Sequence, residues 1–162
     1  MDRGDDGVRA WAALLTAHGA AVEAISDDVL AATGLPLAWY DVLLELNAAP
    51  GRRLRMRDLG DVVVLSRTRV SRIVDEMERS GLVRRTPDPS DGRVSFAELT
   101  TEGRRRLVKA APAYLRSIDD RFSRHLTRSE ARSVRTALEK VRRANEPDPG
   151  GRLAVRTLHG EA

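Results

Sequence analysis

From Val8 to Val29 the apolar positions fall three and four residues apart: Val8, Trp11, Leu15, Val22, Ile25 and Val29, with His18 completing the series. That spacing puts them on one face of a single helix for about three heptads, and Thr33-Gly34-Leu35-Pro36 supplies the stop. A helix of roughly 25 residues spans about 37 Å, the width of a small domain, so its seam predicts packing on another helix or a second subunit. Trp39, Val42, Leu43 and Leu46 mark the core face of a second helix, from Leu37 to Ala49, closed by Pro50-Gly51. A short basic link, Arg52 to Arg55, leads into a brief helix from Met56 to Val63, whose N-cap, Met56, has no side-chain oxygen to offer.

Ser66 does offer one, and the helix it caps carries a buried stripe of Val70, Ile73, Val74 and Met77 before Gly81 provides a left-handed stop. Thr68, Arg72, Asp75 and Arg79 point away from that stripe, with Arg69 and Ser71 beside them, so the outer face is polar and mostly basic. Asp75 and Arg79, four residues apart, are expected to pair. Leu82 to Arg85 and Val94 to Leu99 predict two strands joined by a turn-rich loop from Thr86 to Arg93. Thr100 caps a further helix with Leu107, Ala111, Leu115, Ile118 and Phe122 on one face and a kink expected at Pro112. Thr127-Arg128-Ser129-Glu130 is a capping box, after which Ala131, Val134, Leu138 and Val141 form another heptad stripe. Helix, turn, basic helix and hairpin, in that order, predict a mainly α fold with a small β-wing. It is a winged helix-turn-helix flanked by N- and C-terminal dimerisation helices.

Composition narrows the function classes. The 162 residues suffice for one compact domain. No stretch approaches the ~20 apolar residues of a membrane span, and Met1-Asp2-Arg3-Gly4-Asp5-Asp6 is unlike a signal peptide, so a cytoplasmic protein without membrane association is expected. The absence of cysteine excludes disulfides, thiolate metal sites and cysteine redox sensing. The net charge is only +4, and 26 of the 28 basic residues are Arg, all but Lys109 and Lys140. A GC-rich genome produces the same bias, so position decides more. Residues 51–93 hold 11 Arg against seven acids, a local excess equal to that of the whole chain.

These features place double-stranded DNA opposite the basic helix. A helix entering the major groove presents its N-terminal turns, here Ser66, Arg67, Thr68, Arg69, Ser71 and Arg72. Arg72 is best aimed at a guanine edge, while Arg67 and Arg69, on the flanks, suit phosphates. At the wing, Arg93 stands where an Arg senses a narrow minor groove. Asp91 supports the wing as an orienting ion-pair partner of Arg93, since Asp88 and Asp91 would otherwise repel phosphates.

The segment Ser66 to Met77, followed by Glu78-Arg79-Ser80-Gly81-Leu82-Val83-Arg84-Arg85, Asp91-Gly92-Arg93 and Leu99-Thr100-Thr101-Glu102-Gly103, resembles the MarR family of bacterial regulators from Leu35 to about Leu107. In that family the wing commonly reads Asp-Arg-Arg; Gly92 replaces the first Arg and leaves one cation fewer at the tip. The resemblance implies one domain over 1–162, with 1–35 and 101–145 as dimerisation helices, 37–100 as the DNA-binding lobe and 146–162 as a loosely ordered tail. It further implies a homodimer on a pseudo-palindromic operator, acting as a repressor released by a small-molecule effector. Many relatives bind small aromatic acids between the dimer helices and the DNA-binding lobe, which makes Trp11, His18, Trp39 and Tyr40 the effector candidates here.

His18, His125 and His159 lack metal-ligand spacing, so neither a metal nor a cofactor is expected. No phosphate loop and no nucleophile, base and acid grouping emerges, so the chain is not expected to be an enzyme. Two alternatives remain open: a constitutive architectural DNA binder, and a winged-helix protein-interaction module. The latter usually needs apolar anchors on the outer helix face, and Thr68, Arg72, Asp75 and Arg79 supply none.

Overall fold

In the computed structural model, residues 3–63, 67–88, 90–91 and 94–145 are described, with positions 3, 4 and 67 described in backbone only. Six α-helices and three strands follow in the order α1 (Arg3–Thr33), α2 (Leu37–Ala48), β1 (Arg53–Arg55), α3 (Met56–Val62), α4 (Arg67–Arg79), β2 (Val83–Pro87), β3 (Ser95–Leu99), α5 (Thr101–Arg121) and α6 (Arg128–Asn145). Short 3-10 turns at Pro50–Arg52 and Ser123–His125 complete the described elements.

The link expected between α2 and α3 is a strand. β1 pairs antiparallel with β3, Leu54 opposite Ala97, so the sheet has three strands in the order β1-β3-β2. Only Leu54 is apolar among its three residues, so no alternation betrays it. The N-cap of α3 is Arg55 instead of Met56, and it too makes no side-chain capping bond. The hairpin runs longer on one side than expected, β2 reaching Pro87, which pairs with Ser95. An edge strand tolerates proline because its outward N–H has no ladder partner to lose.

Helix ends follow local chemistry where they are described. At Gly81, φ +72, Leu82 N–H donates to Met77 O and Gly81 N–H to Glu78 O, both at 2.9 Å, the pair of bonds that closes a helix through a left-handed residue. Thr100 Oγ1 accepts from Gly103 N–H at 3.0 Å and starts α5. The capping box of α6 forms as expected: Glu130 Oε2 accepts from Thr127 N–H at 2.8 Å, and Thr127 Oγ1 accepts in return from Glu130 N–H at 3.3 Å. Pro112 lies inside α5 without ending it. The Ser66 cap and the tail from 146 lie outside the described residues.

One core joins α2, α3, α4, the sheet and the first half of α5, with Tyr40, Leu43, Leu46, Leu59, Val74, Met77 and Ala97 fully buried. In the last turns of α1, Ile25 and Val29 are buried as well, outside that core. There Asp28 clasps α5: its carboxylate accepts from Ser117 Oγ at 2.7 Å and from Arg121 Nε and Nη2 at 2.8 and 2.9 Å. The rest of the α1 seam faces outward, with Val8, Trp11, Leu15 and Val22 exposed.

Candidate nucleic-acid interface

The candidate reading surface is α4, held by the hydrophobic stripe that the sequence predicts. Val70, Ile73, Val74 and Met77 are buried, which turns Thr68, Arg69 and Arg72 to solvent. Arg72 makes no hydrogen bond or ion pair among the described residues. Ser71 is half-buried beside it. Ser66 and the Arg67 side chain lie outside the described residues.

The Asp75–Arg79 pair expected from their spacing does not form. Arg79 Nε donates to the Asp75 carbonyl at 3.3 Å, while the Asp75 carboxylate is taken by Arg85 of β2 at 2.5 Å. Arg85 Nη2 also donates to Ser71 O and Oγ at 3.4 Å, its Nε lies 3.6 Å from Glu78 Oε2, and its backbone N–H donates to Glu78 Oε1 at 2.9 Å. Arg85 therefore fixes the roll of α4 against the sheet through three residues of that helix. Its strand position gave no hint of this, because its partners lie seven to 14 residues upstream.

The wing leaves the sheet beside α4. Asp88 N–H donates to Val94 O at 2.8 Å and Val94 N–H to Asp91 O at 2.9 Å, which closes the loop across its root. Asp88, expected to repel phosphates, is buried and builds this root: its carboxylate accepts from Ser90 N–H at 2.9 Å, Ser90 Oγ at 2.6 Å and Arg55 Nη2 at 3.1 Å. The Ser90 bonds first, and Arg55 in addition, hold its carboxyl below the usual carboxylate range. The described part of the wing is thus anchored by Asp88. Asp91 is exposed, and Arg93 lies outside the described residues.

A profile described as the MarR family matches residues 33–94 of this chain. The HTH-type transcriptional repressor Rv2887 of Mycobacterium tuberculosis is 30% identical over 128 residues, covering 79% of this chain and 90% of that protein. The chain belongs to the MarR family. The HTH-type transcriptional regulator PrsX of Escherichia coli is 33% identical over 94 residues, 56% of this chain; the match spans 57% of the length of PrsX. Sco3205 of Streptomyces coelicolor, a MarR family transcriptional regulator whose crystal structure is in complex with DNA, superposes with a TM-score of 0.79 at 28% identity. That superposition covers 91% of this chain and 95% of Sco3205.

Within this MarR fold the four effector candidates stand apart. Tyr40 is fully buried, its ring 4.5 Å from that of Tyr114 on α5, and its hydroxyl has no hydrogen-bond partner among the described residues. Trp39 is half-buried against the same core. Trp11 and His18 are exposed on α1, about 33 and 22 Å of helical rise before its end near α2. Sequence reasoning passed over two carboxylates near Tyr40. Burial pushes the Asp41 carboxyl up to about 6, and burial together with the Asp41 charge raises that of Glu45. No single helix among the described residues is long and apolar enough to cross a membrane, and no cluster of potential metal ligands occurs among them.

Proposed function

We propose that the protein is a dimeric, sequence-specific regulator of transcription that binds duplex DNA and acts as a repressor. The observation that carries this reading is the outward, uncompensated Arg72 on a helix whose opposite face is fully buried, next to a wing with a braced root. An Arg in that setting is free to bond the O6 and N7 of guanine, and Thr68 and Arg69 lie within a turn of it. Sco3205, similar over nearly the whole chain, was crystallised with DNA, and Rv2887 is called a repressor; both support the reading.

Dimerisation is supported by α6. None of its 18 residues is buried in the single chain, although Val134, Leu138 and Val141 form an apolar stripe. A second protomer covering that stripe, together with exposed Leu115 and Phe122 of α5 and Trp11 and Leu15 of α1, would pair two copies of α4 for a pseudo-palindrome. The effector cleft we place beside Trp39 and Tyr40. Trp11 and His18 are too far along α1 to reach it within one protomer, so they join it from the second. An effector that binds better when the two α4 helices no longer match the groove repeat releases the operator.

The test is an operator selected from a random duplex library by the protein itself. Arg72→Ala is expected to weaken operator binding by about 1–3 kcal/mol and flatten discrimination at one base pair. Unchanged affinity and discrimination would remove Arg72 from base reading. Failure of the wild type to enrich any sequence would overturn the regulator reading itself.

A further inference from the structure

The strands of the wing sheet have two unlike faces. Leu54, Ala97 and Arg85 share a row on the inner face, where Ala97 is buried and Arg85 reaches α4. The alternate rows, Arg53-Glu98-Arg84 and Arg55-Phe96-Thr86, make the outer face, turned away from α4. Four arginines of this lobe have acidic partners, Arg55 among them through Asp88 at 3.1 Å. Arg85 is held by Asp75 and Glu78, Arg84 by Glu98 at 2.6 Å, and Arg57 by Asp58 at 3.4 Å. Arg52 and Arg53 have no ion pair within 4 Å and no side-chain hydrogen bond among the described residues, although Arg53 stands opposite Glu98, which Arg84 holds, and shares its field.

Each of these two has a further distinguishing feature. Arg53 lies over the Phe96 ring at 4.9 Å and Arg55 at 5.7 Å, so one aromatic residue carries two guanidinium groups. A guanidinium stacked on a ring is oriented in advance with its N–H edge turned outward; Arg53 keeps that edge free for a phosphate, while Arg55 gives part of its own to Asp88. Arg52 has φ +54, the one non-glycine residue with positive φ among the described residues, and it is exposed. A side chain kept there against backbone strain points to a use for it. Arginines on an edge strand also discourage sheet-to-sheet pairing, which explains charge on β1. It explains neither the ring beneath them nor the strained Arg52.

We propose that the outer face of the wing sheet, Arg53 and Arg55 on Phe96 with Arg52 beside them, is a second phosphate-binding surface for duplex DNA flanking each half-site. The proposal rests on the DNA-binding reading above. Arg55 is fixed to the wing root through Asp88 at 3.1 Å, so this face travels with the wing to whatever duplex the wing meets. The inner face is turned to α4 and the core. The surface therefore extends the footprint outward from the operator core and adds affinity without adding sequence preference.

Two duplexes with the same selected operator core test this. One ends at the outer edge of the half-sites, and the other continues on each side for about six base pairs of arbitrary sequence, roughly half a turn. Wild type should bind the longer duplex about 3- to 10-fold more tightly, with a log K versus log salt slope steeper by about 2 to 4. Arg52→Ala combined with Arg53→Ala should abolish that gain and leave binding of the core duplex unchanged. The charge-reversed pair, Arg52→Glu with Arg53→Glu, keeps the edge strand charged, so a role limited to edge protection predicts wild-type binding from it. The surface proposal predicts that it binds the long duplex worst. A length gain equal in all three proteins, or absent from wild type, overturns the proposal. Loss of preference for the core over random duplex would instead overturn the regulator reading beneath it.

Discussion

At the scale of single residues, Gly103 in the first turn of α5 leaves no room for a side chain. A Cβ there would stand 2.0 Å from the Leu82 carbonyl oxygen and 2.9 Å from Leu99 Cδ1. The same carbonyl accepts from Thr100 Oγ1 at 3.0 Å, so the start of α5 is pressed onto the turn after α4 and cannot retreat without losing its cap. Gly103→Ala is expected to destabilise by about 2–3 kcal/mol in urea unfolding, and a change below 0.5 kcal/mol, roughly the surface level, would mean that the turn yields. Two carboxylates act on stability in opposite senses. Bonds from Arg121 and then Ser117 hold Asp28 down to about 2, so its contribution is complete above about pH 4 and is lost as pH falls toward 2. Burial raises Asp41 from 3.8 to about 6, so the folded state holds a proton that the unfolded chain releases between those values. Stability therefore declines as pH rises through that window and stays lower above it. Asp41→Asn should be more stable than wild type by about 1–2 kcal/mol at pH 7.5 and indistinguishable at pH 4. Equal stability at pH 7.5 would show that a cation compensates Asp41 in the assembled protein.

At the scale of elements, α4 is aimed by a strand. Arg85 binds Ser71, Asp75 and Glu78, spanning two turns of α4, and thereby sets the roll of the helix and with it the direction of Arg72, which shares the outward face with Asp75. Arg85→Ala should reduce preference for the operator over random duplex more than it reduces binding to random duplex. Asp75→Ala should do the same, and the double variant should be no worse than either, with a coupling of about 1–2 kcal/mol. Parallel loss on both duplexes would make Arg85 a support of the fold alone. The sequence already exposed much of this architecture. Every helix that carries an i, i+3, i+4 stripe was legible, as were Gly81, Thr100 and the Thr127–Glu130 box, because those signals are local. β1 was not, since a strand with two outward arginines and one leucine has no alternation and gains its identity from Ala97, over 40 positions away. The same holds for the site. Burial of the stripe was enough to orient Thr68, Arg69 and Arg72, whereas the bracing roles of Arg85 and Asp88 depend on the sheet that brings β2 beside α4 and β1 beside the wing. Charge alone misassigned Asp88, because its sign suggested repulsion and only its burial with Ser90 and Arg55 reveals support.

At the scale of the whole molecule, the single chain leaves its longest helix and its last helix largely uncovered. The lobe built on α2, α3, α4 and the sheet has a closed core, but Val8, Trp11, Leu15 and Val22 on α1, Val108, Leu115 and Phe122 on α5, and Val134, Leu138 and Val141 on α6 are all exposed. Scattered apolar residues are ordinary on a surface; repeated at heptad spacing on three helices they form continuous faces, which water tolerates poorly. α6 makes the case most directly, because an isolated 18-residue helix in water is marginal and this one buries nothing against its own chain. Under the proposed dimer, its stability comes from the surface that covers its stripe, and folding of α6 and pairing of protomers become one event. Val134→Glu with Leu138→Glu should therefore give a monomer in sedimentation runs at about 10 μM, where wild type remains dimeric, and should lower helicity measured by circular dichroism at the same time. Operator binding should weaken on the order of 100-fold, because two half-sites engaged independently lose the advantage of linkage. Binding to one isolated half-site, which needs only α4 and the wing, should change little. If the doubly charged variant stays dimeric with α6 intact, the covering surface lies elsewhere, and the pairing of two α4 helices through α1, α5 and α6 is wrong.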